Sequence, residues 1–374
     1  MNARLTSRFH ALSHFWPNFA QTVTDGNFRT LRDPAALAEA GLIAPEAAAA
    51  LAPVAARYAV AVTPALAALI DPADPTDPIA AQFLPDPAEL LAAPGELADP
   101  IGDAARAPLR GIVHRYPDRV LLTPTYVCPV YCRFCFRREV VGPGAGAALT
   151  REELEAALDY VRARPAIREV IVTGGDPLAM PAKRIAALSA ALAGIAHVGT
   201  ARWHSRVPVA TPQRVTQAFA QALASREGLS SVVAVHVNHP RELTREARAA
   251  LRRLQQAGVM LVSQTVLLKG VNADAATLTA LMRGLVEAGV KPYYLHHPDL
   301  APGTARFRLT IDEGLALYRR LRGAVSGLMV PTYVLDIPGG FGKVALDSDA
   351  ARRQADGGWT LTDFSGAAHF YRDA

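Results

Sequence analysis

The chain has 374 residues, 51% hydrophobic and 20% charged, a balance that can bury a sizeable core and excludes global disorder. Its 39 basic and 34 acidic residues leave +5, an excess spread along the chain, so no electrostatic footprint for nucleic acid is present. The opening MNARLTSRFHALSHF has no long apolar run, and the uncharged stretch Ile185–Ala201 is Gly-interrupted and marginal for a bilayer. No signal peptide and no membrane partner are expected, and the sequence reads as a soluble, cytoplasmic protein. Length alone suggests two or three domains, although an α/β barrel of about 250 residues stands as one.

Residues 1–57 are rich in Ala and Leu and read as short helices. From Tyr58 to Ala105 there is no Lys or Arg, and Pro72, Pro75, Pro78, Pro85 and Pro87 fall close together. Each proline fixes φ and removes a donor, so long helices and strands are forbidden there. The segment reads as extended, acidic and wrapped on a larger body, with a flexible linker as the alternative on composition. From about Arg106 apolar runs suited to buried strands follow one another: 120–124, 169–174, 197–204, 231–237, 258–267 and 291–297. Between them, apolar residues recur at helical intervals over 150–164, 182–195, 211–225, 244–258 and 274–289. Thr150 with Glu153 forms a capping-box signature, and Gly258 and Gly289 fit helix stops.

Such alternation implies parallel strands joined by right-handed crossovers. The expected fold is α/β, a partial (β/α)6-type barrel with an N-terminal helical and extended wrapping region. A flat doubly wound sheet has the same periodicity and stays open as the alternative. The predicted organisation is a wrapping region over 1–105, a barrel domain over 106–345 and a short C-terminal tail over 346–374. In either closure functional residues gather at the C-terminal ends of the strands.

The three cysteines, Cys128, Cys132 and Cys135, all lie just after the first predicted strand. An odd number grouped this tightly is not a disulfide framework and points to a metal or cluster site. In the spacing C-x3-C-x2-C, three thiolates can bind three irons of a [4Fe–4S] cube and leave the fourth open, whereas electron-transfer clusters take four cysteines. A zinc site completed by His114 or His204 is the alternative.

At this motif the chain resembles the radical S-adenosylmethionine (SAM) enzymes, in which C-x3-C-x2-C follows the first barrel strand with an aromatic before the last Cys, here Phe134. The resemblance implies that SAM chelates the open iron and is cleaved by one electron to an adenosyl radical. Gly174, Gly175 and Asp176 in GGDP match the family's glycine-rich segment that meets SAM, and His236 and Gln264 are further candidates for SAM contact. Asn238 and His239 are expected to line the same end of the barrel.

The segments HRYPDRVLL (114–122), HSRVPVATPQRVT (204–216), HVNHP (236–240), QTVLLKGVN (264–272) and PTYVLDIPGGFGK (331–343) are similar to lysine 2,3-aminomutases. The resemblance covers roughly residues 60–345. It implies that Lys343 joins covalently to pyridoxal 5′-phosphate (PLP), chemistry natural to a lysine amine facing an aldehyde. It also implies that Arg115, Tyr116 and Arg119 lie near that cofactor, where arginine forks suit its phosphate. Arg137 matches the residue pairing with the substrate carboxylate, and Asp299 and Asp336 match the two aspartates holding the distal ammonium of lysine. Two carboxylates in one partly buried site repel unless a cation joins them.

The implied reaction is an isomerisation, an intramolecular amino transfer. A hydrogen leaves C3 of L-lysine, nitrogen moves from C2 to C3, and the hydrogen returns to give β-lysine. A low-potential donor such as flavodoxin or ferredoxin is implied, and a homo-oligomer is possible. Longer family members bind zinc through C-terminal cysteines; this chain has none after Cys135, so no zinc is expected. His296 stands where other members often have an aromatic near PLP. Glutamate, arginine, a protein-bound lysine or supply of β-lysine for elongation factor P modification are the alternatives within this chemistry. A non-enzymatic iron–sulfur carrier is the alternative outside it.

Overall fold

The computed structural model describes residues 29–142, 146 and 148–373. The short helices expected over 1–28 lie outside the described residues. The centre is a nine-stranded sheet in which chain order equals spatial order: β1 (Ile112–Tyr116), β2 (Arg119–Thr125), β3 (Glu169–Gly174), β4 (Thr200–Ser205), β5 (Ser230–His236), β6 (Met260–Val266), β7 (Lys291–His296), β8 (Thr332–Asp336) and β9 (Lys343–Ala345). Strands β2 to β8 are parallel, and β1 and β9 close the two edges antiparallel. Sequential parallel strands with a helix on each crossover curl into a half-barrel, the closure favoured over the flat sheet. The β-branched runs of β3 and β5 are buried on both sides, as a helix-covered parallel sheet requires.

The outer helices start where their caps dictate. Thr150 and Thr310 each accept from the backbone N–H three residues on, while Glu153 and Glu313 reach back to complete capping boxes. Thr244 and Asp274 cap the helices Arg245–Gln256 and Ala275–Glu287. The helix expected over 211–225 is shorter, Gln217–Ala222. Pro212 opens a separate 3-10 turn, and the Thr216 hydroxyl accepts from Phe219 N, restarting the chain there. The seventh parallel strand and the preceding helix Ile311–Ala324 are additions to the predicted elements.

In the Pro-rich segment Pro78 and Pro87 open short helical turns rather than extending the chain, while Pro72 and Pro75 lie in turns and Pro85 in irregular chain between the two helical pieces. Asp77 caps Pro78–Phe83, and Asp86 caps Pro87–Leu90 with Glu89 reaching back. Leu37, Val62, Leu66, Ile79 and Phe83 form a small core with Val130 of the cysteine loop and Ala210 after β4. Residues 351–371 fold into a three-stranded antiparallel sheet, β10 (Ala351–Arg353), β11 (Trp359–Thr362) and β12 (Ala368–Tyr371), whose Trp359, Leu361 and Tyr371 join the main core. The C-terminal segment is therefore a packed layer rather than a tail. Among the described residues no helix is long and apolar enough to cross a membrane.

Candidate active site

The C-terminal ends of β2 to β8 surround one cavity of about 530 Å³. Its wall holds all three cysteines, Phe134, Gly174, Gly175, Asp176, His236 and Gln264. It also holds Arg115, Tyr116, Arg119, Arg137, Asp299, Asp336 and Lys343, so the residues expected at the cluster, the cofactors and the substrate meet there.

The cysteine loop is shaped by the glycines after β3. A Cβ on Gly175 would stand 2.5 Å from Val127 O, and one on Gly174, whose φ is +100°, would stand 2.7 Å from Thr125 O. Gly175 N donates to Thr125 O (2.7 Å) and Asp176 N to Val127 O (3.0 Å), so the GGD backbone prolongs the strand pairing into the loop. The Asp176 carboxylate is occupied internally. It accepts from Ser205 Oγ at 2.7 Å, Arg206 N at 2.8 Å and Leu178 N at 3.0 Å, tying β3 to β4. Burial pushes all three thiols above their ordinary value, Cys135 to about 11. Thiols that resist ionising alone suit a site whose metal supplies the compensating charge. Burial also drives His204 and His236 well below the ordinary imidazole range, and each has a buried Nε2 with no hydrogen-bond partner among the described residues. Such orphaned polar atoms on a cavity wall suit a polar ligand.

Asn238 and His239 do not face the cavity. Asn238 Oδ1 accepts from Val266 N at 2.9 Å, and His239 Nδ1 accepts from Arg241 N at 3.2 Å, so both brace backbone. His114 is engaged with Tyr160 Oη at 2.8 Å outside the cavity.

At the far wall, β8 and β9 form a hairpin in which Asp336 lies opposite Lys343. Lys343 Nζ donates to Asp336 Oδ1 at 2.7 Å. His296 Nδ1 is 3.5 Å and Arg115 Nη1 3.8 Å from the same carboxylate. Burial raises Asp336, but the Lys343 ammonium and His296 outweigh it and hold its pKa below the usual carboxylate range. Asp299 behaves oppositely: burial, with the Asp336 charge adding to it, pushes its pKa far above that range. His296 also contacts Gln264, with 3.2 Å between Gln264 Nε2 and its Nε2.

Tyr116 Oη accepts from Lys343 N at 2.7 Å, fixing the lysine's backbone. Arg119 lies over the Tyr116 ring at 3.8 Å and pairs with Asp118 at 2.7 Å. Arg115 and Arg137 share one carboxylate. Arg115 Nη2 donates to Asp103 Oδ1 (3.0 Å), while Arg137 Nε and Nη2 donate to Asp103 Oδ2 (3.0 and 2.8 Å). Sequence reasoning missed Asp103, one of many acidic residues in the wrapping region, where no motif marks it. It also missed Arg206, whose Nη1 donates to Cys132 Sγ at 3.1 Å; HSRVP held it in plain view, without a spacing rule to single it out.

A parallel half-barrel with three cysteines after its first parallel strand defines the class. Residues 122–281 match the model of the radical SAM superfamily, and residues 318–374 that of "Lysine-2,3-aminomutase". An L-lysine 2,3-aminomutase of Clostridium subterminale is 38% identical over 310-odd residues, covering 84% of this chain and 74% of that protein. An L-lysine 2,3-aminomutase of Escherichia coli is 38% identical over 73% of this chain and 79% of its own. A glutamate 2,3-aminomutase of Clostridioides difficile is 36% identical over 76% of this chain and 67% of its own. The chain belongs to the lysine 2,3-aminomutase family of radical SAM proteins.

Proposed function

We propose that this protein is a SAM- and PLP-dependent isomerase that moves the α-amino group of L-lysine to C3. The observation carrying the choice of substrate is the Asp299/Asp336 pair, Asp299 half-buried and Asp336 buried against the Lys343 ammonium, in the same cavity as the cysteines. Cys128, Cys132 and Cys135 would hold a [4Fe–4S] cluster; Phe134, Gly174, Gly175, His236 and Gln264 would border SAM. Asp176 would act by bracing that wall through Ser205 and Arg206. Lys343, with Arg115, Tyr116 and Arg119, would hold PLP. When bound, cluster and SAM supply a hydrogen-abstracting radical on receipt of one electron from a low-potential donor, and PLP supplies an aldehyde for the substrate amine and a π-system that spreads unpaired spin.

The chain's own residues orient the substrate. Arg137, held by Asp103, presents a guanidinium for the substrate carboxylate. Asp336 and Asp299 form an anionic end for the distal ammonium. A glutamate side chain would bring a third carboxylate there, which several kcal/mol of unpaired buried charge opposes.

The test is anaerobic incubation with SAM, a reductant and L-lysine, L-glutamate or L-arginine, followed by product analysis. Conversion of lysine to β-lysine is expected. Turnover of glutamate without lysine would overturn the assignment of the aspartate pair. Asp336→Ala should weaken lysine binding far more than it slows SAM cleavage, and equal loss of both would make Asp336 structural.

A further inference from the structure

Arg206 follows β4 and is nearly inaccessible, its side chain 5% exposed. Its backbone N–H is anchored on Asp176 Oδ2 at 2.8 Å. Its guanidinium has three separate tasks: Nη1 donates to Cys132 Sγ at 3.1 Å, and Nη2 donates to Glu242 Oε2 and Gln82 Oε1, each at 2.6 Å. The group also lies over the Phe83 ring at 4.5 Å. Its partners are fixed in turn. Glu242, fully buried, accepts from Asn238 N (3.0 Å) and His239 N (2.9 Å) through its other oxygen. Gln82 Nε2 donates to that same oxygen at 3.3 Å, and the Gln82 backbone carbonyl accepts from Arg133 N, next to Cys132.

A buried ion pair is costly to assemble and is weak as a stability device. Here it is oriented: one terminal nitrogen of the guanidinium donates to a cysteine sulfur and the other pairs with the carboxylate. Hydrogen bonds to sulfur ligands and local charge are the protein's means of setting an iron–sulfur potential. In a buried site the field of such a pair is little screened. A donor on Cys132 stabilises the more electron-rich cluster and raises its potential.

We propose that Arg206 is a positioning residue that acts through Cys132 to raise the reduction potential of the cluster, with Glu242 and Gln82 holding the guanidinium against the sulfur. This deepens the proposed function, since it rests on a four-iron cluster at the three cysteines. It also gives the wrapping region, through Gln82, a part in electron uptake.

The experiment is a redox titration of anaerobically reconstituted protein followed by electron paramagnetic resonance, without SAM, PLP or substrate. Each oxidised cluster takes up one electron, given by dithionite. Iron and sulfide are assayed first; failure of the unaltered chain to hold four irons would refute the cluster reading itself rather than the role of Arg206. Arg206→Met is expected to shift the midpoint negative and Glu242→Gln to shift it positive. The double variant, with unchanged formal charge but no donor, should lie negative of the parent. Arg206→Lys, which keeps the charge, should fall between parent and Met variant. A fully loaded Arg206→Met protein with the parent midpoint overturns the proposal. If that variant does not load, unchanged midpoints in both Arg206→Lys and Glu242→Gln overturn it equally.

Discussion

Gly342 tests how closely the Lys343 loop is machined. Its φ is +93°, and a Cβ there would stand 2.6 Å from Tyr116 Oη, 3.1 Å from Tyr116 Cζ and 3.3 Å from Phe364 Cδ1. In Gly342→Ala the backbone conformation alone costs about 1–3 kcal/mol. Relief of the clash moves Tyr116 away from Lys343 N, forfeiting a hydrogen bond worth about 1 kcal/mol net. The total, about 2–4 kcal/mol, falls on one short turn, so the chain relaxes by displacing Lys343. With about 1.4 kcal/mol per factor of ten, apparent PLP affinity should drop on the order of a hundredfold. The assay is PLP titration by absorbance, with borohydride trapping and mapping of the labelled lysine. Tyr116→Phe in the same background removes the nearest clashing atom and should recover part of the loss. Affinity within threefold of the parent in Gly342→Ala, unaltered by Tyr116→Phe, would refute this reasoning.

Two further predictions concern stability. Glu89 is fully buried against Arg133, which donates to it at 2.9 and 3.1 Å through Nε, and against Arg138. Glu89→Gln leaves two buried cations without their counterion and should cost about 3–5 kcal/mol in anaerobic urea unfolding; a loss under 1 kcal/mol would mean water already reaches the arginines. His297 is buried against Tyr333 and its pKa is driven down to about 3. The unfolded chain takes up a proton near pH 6.5 that the folded chain refuses, so this stabilisation is complete above pH 6.5 and is lost as pH falls towards 3. Its share of the slope is about 1.4 kcal/mol per pH unit, or roughly 2 kcal/mol between pH 6.5 and 5. His297→Gln should flatten the measured stability–pH curve by that amount, and an unchanged slope would place the proton uptake elsewhere.

The chemistry-bearing residues were legible because their types and spacings are rare: three cysteines in eight positions, and a lysine at the end of a glycine-rich turn. The barrel was legible because buried parallel strands and amphipathic helices carry different periods. Asp103, Gln82, Glu89 and Glu242 were not, since each is an ordinary polar residue in a segment with no period. Their partners stand far away in sequence, as with Gln82 and Arg206 or Glu89 and Arg138. The strand Thr332–Asp336 is short and runs directly into PGGFGK, so its strand character was hidden behind the motif. The interrupted helix near Pro212 shows a cap overriding a periodic pattern: Thr216 offers its hydroxyl to Phe219 N, and the backbone starts afresh.

The hairpin joining β8 to β9 acts as a ruler. Asp336 and Lys343 are paired residues across an antiparallel ladder, so their side chains emerge on one face by backbone construction. Residues 337–342 set that distance by their number more than by their identity. Insertion or deletion of a single residue there would slip the ladder by one step and turn the amine to the opposite face, away from the acid. Divergence in this turn is thus free in composition, within the limits of its glycines, and frozen in count.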